Sequence, residues 1–217
     1  PQVDIRSQWS RVWRQAWLAA PHAAFALLTG DLVNKGGHDG EWGEWFEAVG
    51  WMGATRPLVL APGSHEYVAA AATPTATTAS KKSSAGSSAK TSAAPKSLSA
   101  HWRAQFTLPA NGPEGLAETC YFFDYQGVRF VVLNAQEQTA AQADWLRATL
   151  RGAHPPWTVL AFHEPIFSGG RKRDNQKLRT VWKPVIDEMR VDLVLPGHDH
   201  VYARSGLDGV PPGYPAE

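Results

Sequence analysis

Five side chains in this sequence have the types and the placement to do chemistry together. His65, His163, His198 and His200, half of the eight histidines, stand directly after short apolar runs, and Asp31 closes another such run behind Thr29-Gly30. Imidazole and carboxylate together suit zinc, iron and manganese, the borderline cations of hydrolytic sites. Gly197-His198-Asp199-His200 puts two imidazoles on one turn, able to face two adjacent cations. Gly30 lets the backbone turn sharply before Asp31, whose two oxygens can bridge such a pair. His163 lies in Leu160-Ala161-Phe162-His163-Glu164-Pro165, where the proline stiffens the presenting loop. His65, in Gly63-Ser64-His65-Glu66, fits a non-ligand role: protonating a leaving oxygen or holding transition-state charge, with Glu66 placed to orient the ring. Taken singly, each residue also has an ordinary structural reading. Asp31 reads as a turn or cap, His163 as a satisfied core histidine and His65 as a surface-loop residue.

Competing signatures fail. Neither His65-Glu66 nor His163-Glu164 continues to His-Glu-x-x-His, and the chain has no Gly-x-Ser-x-Gly elbow, no Walker-type phosphate loop and no Gly-x-Gly-x-x-Gly. The single cysteine, Cys120, excludes an intramolecular disulfide and a Cys-only zinc site, and reads as a buried strand residue.

The elements that must position these groups follow an α/β pattern. Apolar runs at 24–31, 56–66, 128–136, 157–165 and 191–200 read as strands buried on both faces, each ending in a polar loop. Helical stretches fall between them at 7–20, 39–52, 139–152 and 175–190. Residues 119–134 alternate and turn at Gln126-Gly127, which predicts an antiparallel hairpin and hence a mixed sheet. In open α/β sheets ligands bind beyond the carboxyl ends of the strands, where this sequence concentrates its polar groups.

The chain of 217 residues, 43% hydrophobic and 19% charged, has the length and composition of one globular domain spanning 1–217. Lys and Arg total 21 against 20 Asp and Glu, a net charge of +1, which gives no electrostatic reason to expect nucleic acid or an acidic membrane as partner. No run approaches the roughly 18 to 20 apolar residues that a membrane span needs. Residues 69–100 are almost entirely Ala, Ser, Thr, Pro and Lys, with no acid and no aromatic. Such a stretch buries too little apolar surface to offset its ordering entropy and reads as a flexible surface insertion.

Four ordered blocks, Gly30-Asp31-Leu32-Val33-Asn34, Gly63-Ser64-His65-Glu66, Leu160-Ala161-Phe162-His163 and Gly197-His198-Asp199-His200, resemble the signature blocks of the calcineurin-like metallophosphoesterases. The likeness is greatest to bacterial relatives of the purple acid phosphatases. It extends to Trp42 and Trp45, Phe106-Thr107-Leu108-Pro109, Tyr121-Phe122-Phe123-Asp124-Tyr125, Trp145-Leu146 and Tyr202-Ala203-Arg204, and covers about 24–205 apart from the insertion.

The resemblance implies a four-layer αββα sandwich of two mixed sheets with a dinuclear centre at one edge. It implies that Asp31 bridges two metal ions of Mn, Zn or Fe, that His200 serves the first, and that His163, His198 and Ser64 serve the second. His65 becomes the catalytic histidine. The implied reaction is hydrolysis of a phosphate ester by a metal-bound hydroxide, since paired cations lower the pKa of bound water to about 7 and clamp the phosphoryl oxygens. Asn34, Arg173, Asn175 and Arg204, with Arg171, are candidates to contact substrate phosphate, because guanidinium matches phosphate geometry. Export to a periplasm or beyond is the compartment the resemblance favours.

The sequence departs from the family in three places. The first block, which supplies an aspartate ligand, has no match in a chain that begins Pro1-Gln2; Asp4 is a poor substitute, and both ends read as trimmed. Ser64 replaces an asparagine whose amide oxygen is the family's ligand. Asn34 stands where purple acid phosphatases carry their colour-giving tyrosine, so no purple centre is expected. A second reading therefore stays open: a catalytically impaired domain of this fold that binds phosphate or a partner.

Overall fold

The computed structural model describes residues 4–69, 95–170 and 173–205. After a π-helical turn at Ile5–Trp9 the order is α1 (Ser10–Ala19), β1 (Ala26–Leu28), α2 (Asp39–Ala54), β2 (Leu58–Leu60), β3 (Tyr67–Ala69), β4 (Lys96–Leu98) and α3 (Ala100–Gln105). The second half runs β5 (Tyr121–Tyr125), β6 (Val128–Val132), α4 (Thr139–Arg151), β7 (Trp157–Ala161), α5 (Gln176–Glu188) and β8 (Leu193–Leu195).

The strands sort their side chains with the period of two that a pleated backbone imposes. Val131 and Leu160 point outward with Leu146, Leu150, Leu178 and Trp182 of α4 and α5, while their neighbours Val132 and Ala161 point inward against Val59 of β2 and Ala61 just after it. On the far side Leu28 and Leu60 pack with Trp13 of α1 and with Trp42, Trp45 and Val49 of α2. Helices, sheet, sheet and helices thus form the four layers of an αββα sandwich, and the runs read as buried on both faces are the two inner layers.

Strands β5 to β8 form one mixed sheet in that order, antiparallel between β5 and β6 and parallel thereafter. Its hairpin turns at Gln126 and Gly127, both in left-handed backbone at φ +47° and +81°, the signature of a tight primed turn. Among the described residues β1 and β2 pair in parallel, and the antiparallel element nearby, β3 with β4, is a separate hairpin. The hydroxyl of Tyr121 joins the two layers by pairing with both the amide and the carbonyl of Leu60, each at 3.0 Å.

The boundaries 69–100 drawn for the insertion are too wide. Ala69 pairs with Lys96, and Ser99 caps α3 by accepting the His101 amide at 3.2 Å. Composition misses this because Tyr67 and Val68, which lie before the biased stretch, supply the pairing partners. Residues 70–94, the remainder of that expected insertion, lie outside the described residues.

Candidate metal centre

Asp31 follows β1, Ser64 and His65 follow β2, His163 follows β7 and His198 follows β8. All lie at the carboxyl ends of strands, where the sandwich opens at one edge. The loops there cross at glycine. A Cβ on Gly63 would lie 2.4 Å from both the amide nitrogen and Oδ1 of Asp31, and one on Gly30, at φ +93°, would lie 2.6 Å from the Gly63 nitrogen. Asp31 and His198 themselves hold left-handed backbone, at φ +53° and +64°. Non-glycine residues adopt that conformation where the surroundings over-determine it, and functional sites are where such strain collects.

Asp31 divides its carboxylate between two loops. Oδ1 accepts the His65 amide at 2.9 Å and the Ser64 hydroxyl at 3.4 Å. Oδ2 lies 3.0 Å from His163 Nε2 and 3.9 Å from His65 Nε2. His163, only 1% exposed, bonds the Thr29 carbonyl oxygen through Nδ1 at 2.7 Å. A carbonyl only accepts, so Nδ1 carries the hydrogen and Nε2 is the atom turned to Asp31. His198 Nδ1 approaches that same Nε2 to 3.2 Å.

Asp31, His163 and His198 thus offer one ligand atom each, all within 4.8 Å of one another. With the His163 tautomer fixed by Thr29, its Nε2 and the Asp31 carboxylate are both acceptors 3.0 Å apart, and such a pair requires a proton or a cation between them. The donor set, one carboxylate and two imidazoles, fits a borderline cation. Burial raises the Asp31 carboxyl, but the hydrogen bond and charge of His163, with His65, outweigh it and hold the group below its usual range. For His163 burial opposes the charged ring, yet Asp31 prevails and the net shift is upward. His198 is lowered, first by burial and then by the charges of His163 and Arg173.

One expectation changes here. Glu66 does not orient His65. Ser64–Glu66 form a single 3-10 turn, in which neighbouring side chains diverge by about 120°. Glu66 therefore points into the interior at 0% exposure, and the Asn34 carbonyl, 2.6 Å from Nδ1, holds the His65 ring instead. His200 is exposed and lies outside the converging group. Between the two histidines Asp199 is anchored by the Ser168 hydroxyl at 2.6 Å and the Gly170 amide at 3.0 Å, which leaves His198 facing His163 and His200 on the outer side. Asp4 serves the π-helical turn, its carbonyl accepting the Gln8 amide at 2.8 Å, and takes no place among the ligand atoms.

The family model of the calcineurin-like phosphoesterases matches residues 4–202. The chain belongs to that family. Among curated proteins it is 27% identical over 186 residues to purple acid phosphatase 21 of Arabidopsis thaliana, covering 82% of this chain and 38% of that protein. The chain therefore spans less than half the length of this relative. The structure of a purple acid phosphatase from yellow lupin seeds superposes with a TM-score of 0.64 at 18% identity, over 88% of this chain and 33% of that one. GAP50, described as the anchor in the inner membrane complex of Plasmodium, superposes with a TM-score of 0.53 at 11% identity, over 92% of this chain and 62% of its own. Both structural likenesses speak for the shared fold.

The candidate substrate contacts sit unequally. Arg173 donates to the His198 carbonyl at 2.6 Å, which brings its guanidinium to the rim of the centre. Asn34 is exposed beside His65, its carbonyl on the imidazole. Asn175 uses its side-chain oxygen to cap α5, accepting the Leu178 amide at 3.0 Å. Arg204 is exposed in the segment after His200, and Arg171 lies outside the described residues. The roles of Glu66, Thr29 and Asp199 were missed by sequence reasoning. Only Glu66 had a signal, an acid directly after the Gly-Ser-His block.

Proposed function

We propose that this chain carries the catalytic domain of a metal-dependent phosphoric ester hydrolase with a dinuclear centre. The observation that supports it most is the convergence of Asp31, His163 and His198 on one point at the carboxyl edge of the sandwich. These three residues would hold one metal ion, with the Ser64 hydroxyl beside Asp31, and Asp31 and His200 would serve a second. Bound metal supplies Lewis acidity, making hydroxide available near neutral pH and withdrawing charge from the phosphoryl oxygens.

The chain's own side chains do the rest. Thr29 fixes the His163 tautomer, and the left-handed Asp31 divides its oxygens between the two loops. His65 gives its Nδ1 hydrogen to the Asn34 carbonyl, turns Nε2 toward the centre and, in the doubly protonated ring, delivers the Nε2 hydrogen to the departing oxygen. Arg173 at the rim binds a phosphoryl oxygen. The relatives' names carry phosphatase activity, and the resemblance to them carries the expectation of export.

Metal content per chain, measured together with turnover of an aryl phosphate with and without added Mn(II) or Zn(II), tests this reading. Close to two metals and metal-dependent turnover that His198→Ala abolishes is the expected result. At most one metal and no turnover after reconstitution would favour the impaired, phosphate-binding descendant, for which Ser64 at a ligand position is the specific observation.

A further inference from the structure

The candidate centre continues into a groove of about 340 Å³ that starts at Ser64 and His65 and runs to the β3/β4 hairpin. Lys35 borders it from the loop after β1 and Lys96 from the first residue of β4, and Tyr67 and Val68 also line it. Among the described residues no Asp or Glu lines it. Glu41, the acid beside this loop, is turned to the amides of Asn34 and Lys35 at 2.8 and 2.7 Å. Tyr67 contributes no charge, because burial pushes its pKa up and outweighs the opposing effect of Asn134, whose amide donates to the hydroxyl at 2.8 Å. Both lysines are exposed, so the groove presents two ammonium groups on an uncharged floor.

The groove opens at the histidine placed to protonate the departing oxygen, so its occupant is the leaving group and not the scissile phosphoryl. We propose that it binds the leaving group of a phosphate ester bearing a second anionic group, a carboxylate or another phosphate, with Lys35 and Lys96 as the recognising charges. This specificity rests on the hydrolase reading above. Lysine suits such a groove because a compact charge on a flexible stem follows an anion whose distance from the scissile bond varies.

The test compares the metal-loaded full chain with Lys35→Gln/Lys96→Gln on para-nitrophenyl phosphate, para-carboxyphenyl phosphate and hydroquinone bisphosphate. The double variant should raise KM about five- to tenfold for one or both doubly anionic substrates, leaving kcat and the KM for para-nitrophenyl phosphate unchanged, as screened surface charges do. Raised salt should reproduce that loss in the unaltered chain. A response to the carboxylate substrate alone, or to the bisphosphate alone, names the anion. An equal change on all three substrates would assign the lysines to the scissile phosphoryl and overturn the proposal, as would no change. If para-nitrophenyl phosphate is not turned over, the hydrolase reading fails by itself. Calorimetric binding of para-carboxyphenyl phosphate to the metal-free chain then decides: binding lost in the double variant supports the groove, and equal binding refutes it.

Discussion

The Glu66 carboxylate accepts the backbone amide of Asp31 at 2.8 Å, and its two oxygens also hold the amides of Leu32 at 2.8 Å and Gly63 at 2.7 Å. One fully buried side chain thereby ties the loop after β1 to the loop after β2. Burial and the charge of Asp31 push its pKa up, while those backbone donors pull it down.

Glu66→Ala would leave these buried amides without an acceptor, each omission worth about 1 to 3 kcal/mol. Thermal denaturation should show a large fall in Tm. Glu66→Gln keeps one acceptor oxygen and sets an amide hydrogen against a backbone donor, so a smaller loss of about 1 to 3 kcal/mol is expected. A metal isotherm on the folded Gln variant should show weakened binding, because the Asp31 loop is no longer fixed. Unaltered Tm in the Ala variant would refute the tether.

His65 is held by Asn34 at 2.6 Å and lies outside the converging ligand group. His65→Asn should therefore leave metal stoichiometry unchanged while slowing hydrolysis. The loss should reach about 10² to 10⁴ for alkyl phosphates, whose leaving oxygen needs a proton, and be smaller for para-nitrophenyl phosphate. Steady-state rates over a leaving-group series check this. A uniform loss across the series would mean that His65 acts on binding alone.

The sandwich was legible because its cues are local. Val131 and Val132, or Leu160 and Ala161, are adjacent apolar residues buried on opposite faces, and a run of that kind ending in Gly, Asp or His declares both a central strand and its loop. The convergence of Asp31, His163 and His198 was legible for the same reason, since each ends a strand of the same edge. Glu66 was not. Its partners Asp31 and Leu32 stand 35 and 34 residues away, and nothing in Gly-Ser-His-Glu tells which way a 3-10 turn throws its last side chain. The β4 strand was hidden by a composition that Tyr67 and Val68 override from outside it. The unequal fates of His198 and His200 depend on Ser168 and Gly170, which anchor the aspartate between them.

Asp124 faces Arg129 across β5 and β6 in a bidentate pair, with contacts of 2.8 and 2.9 Å. Its bond to Arg129 holds the Asp124 carboxyl below its ordinary value against a small burial effect. A folded pKa below the unfolded one, near about 4, contributes stability above that value and loses it as pH falls through the folded pKa. Asp124→Asn should lower stability at neutral pH by about 1 kcal/mol or less, read as a fall in Tm, because the aspartate is half exposed. The gap to the unaltered chain should close below about pH 4. Thermal melts over a pH series read it, and a gap that stays constant into acid would assign the loss to packing around the buried Arg129.

Two glycines make opposite predictions from the same substitution. A Cβ at Gly63 would meet the Asp31 amide nitrogen and Oδ1 at 2.4 Å, and these are backbone and carboxylate atoms held by Glu66 and His65. Nothing there can yield without moving the carboxylate. Gly63→Ala should therefore destabilise the chain by about 1 to 3 kcal/mol, as overpacking does, and abolish metal binding. Gly43, inside α2, has nothing within 4 Å of the same atom. Gly43→Ala should raise stability by about 0.5 to 1 kcal/mol, because alanine loses less backbone freedom on entering a helix, with metal affinity unchanged. Melting curves and metal isotherms on the two variants separate the cases. Normal metal affinity in Gly63→Ala would show that the crossing of the two loops does not fix Asp31.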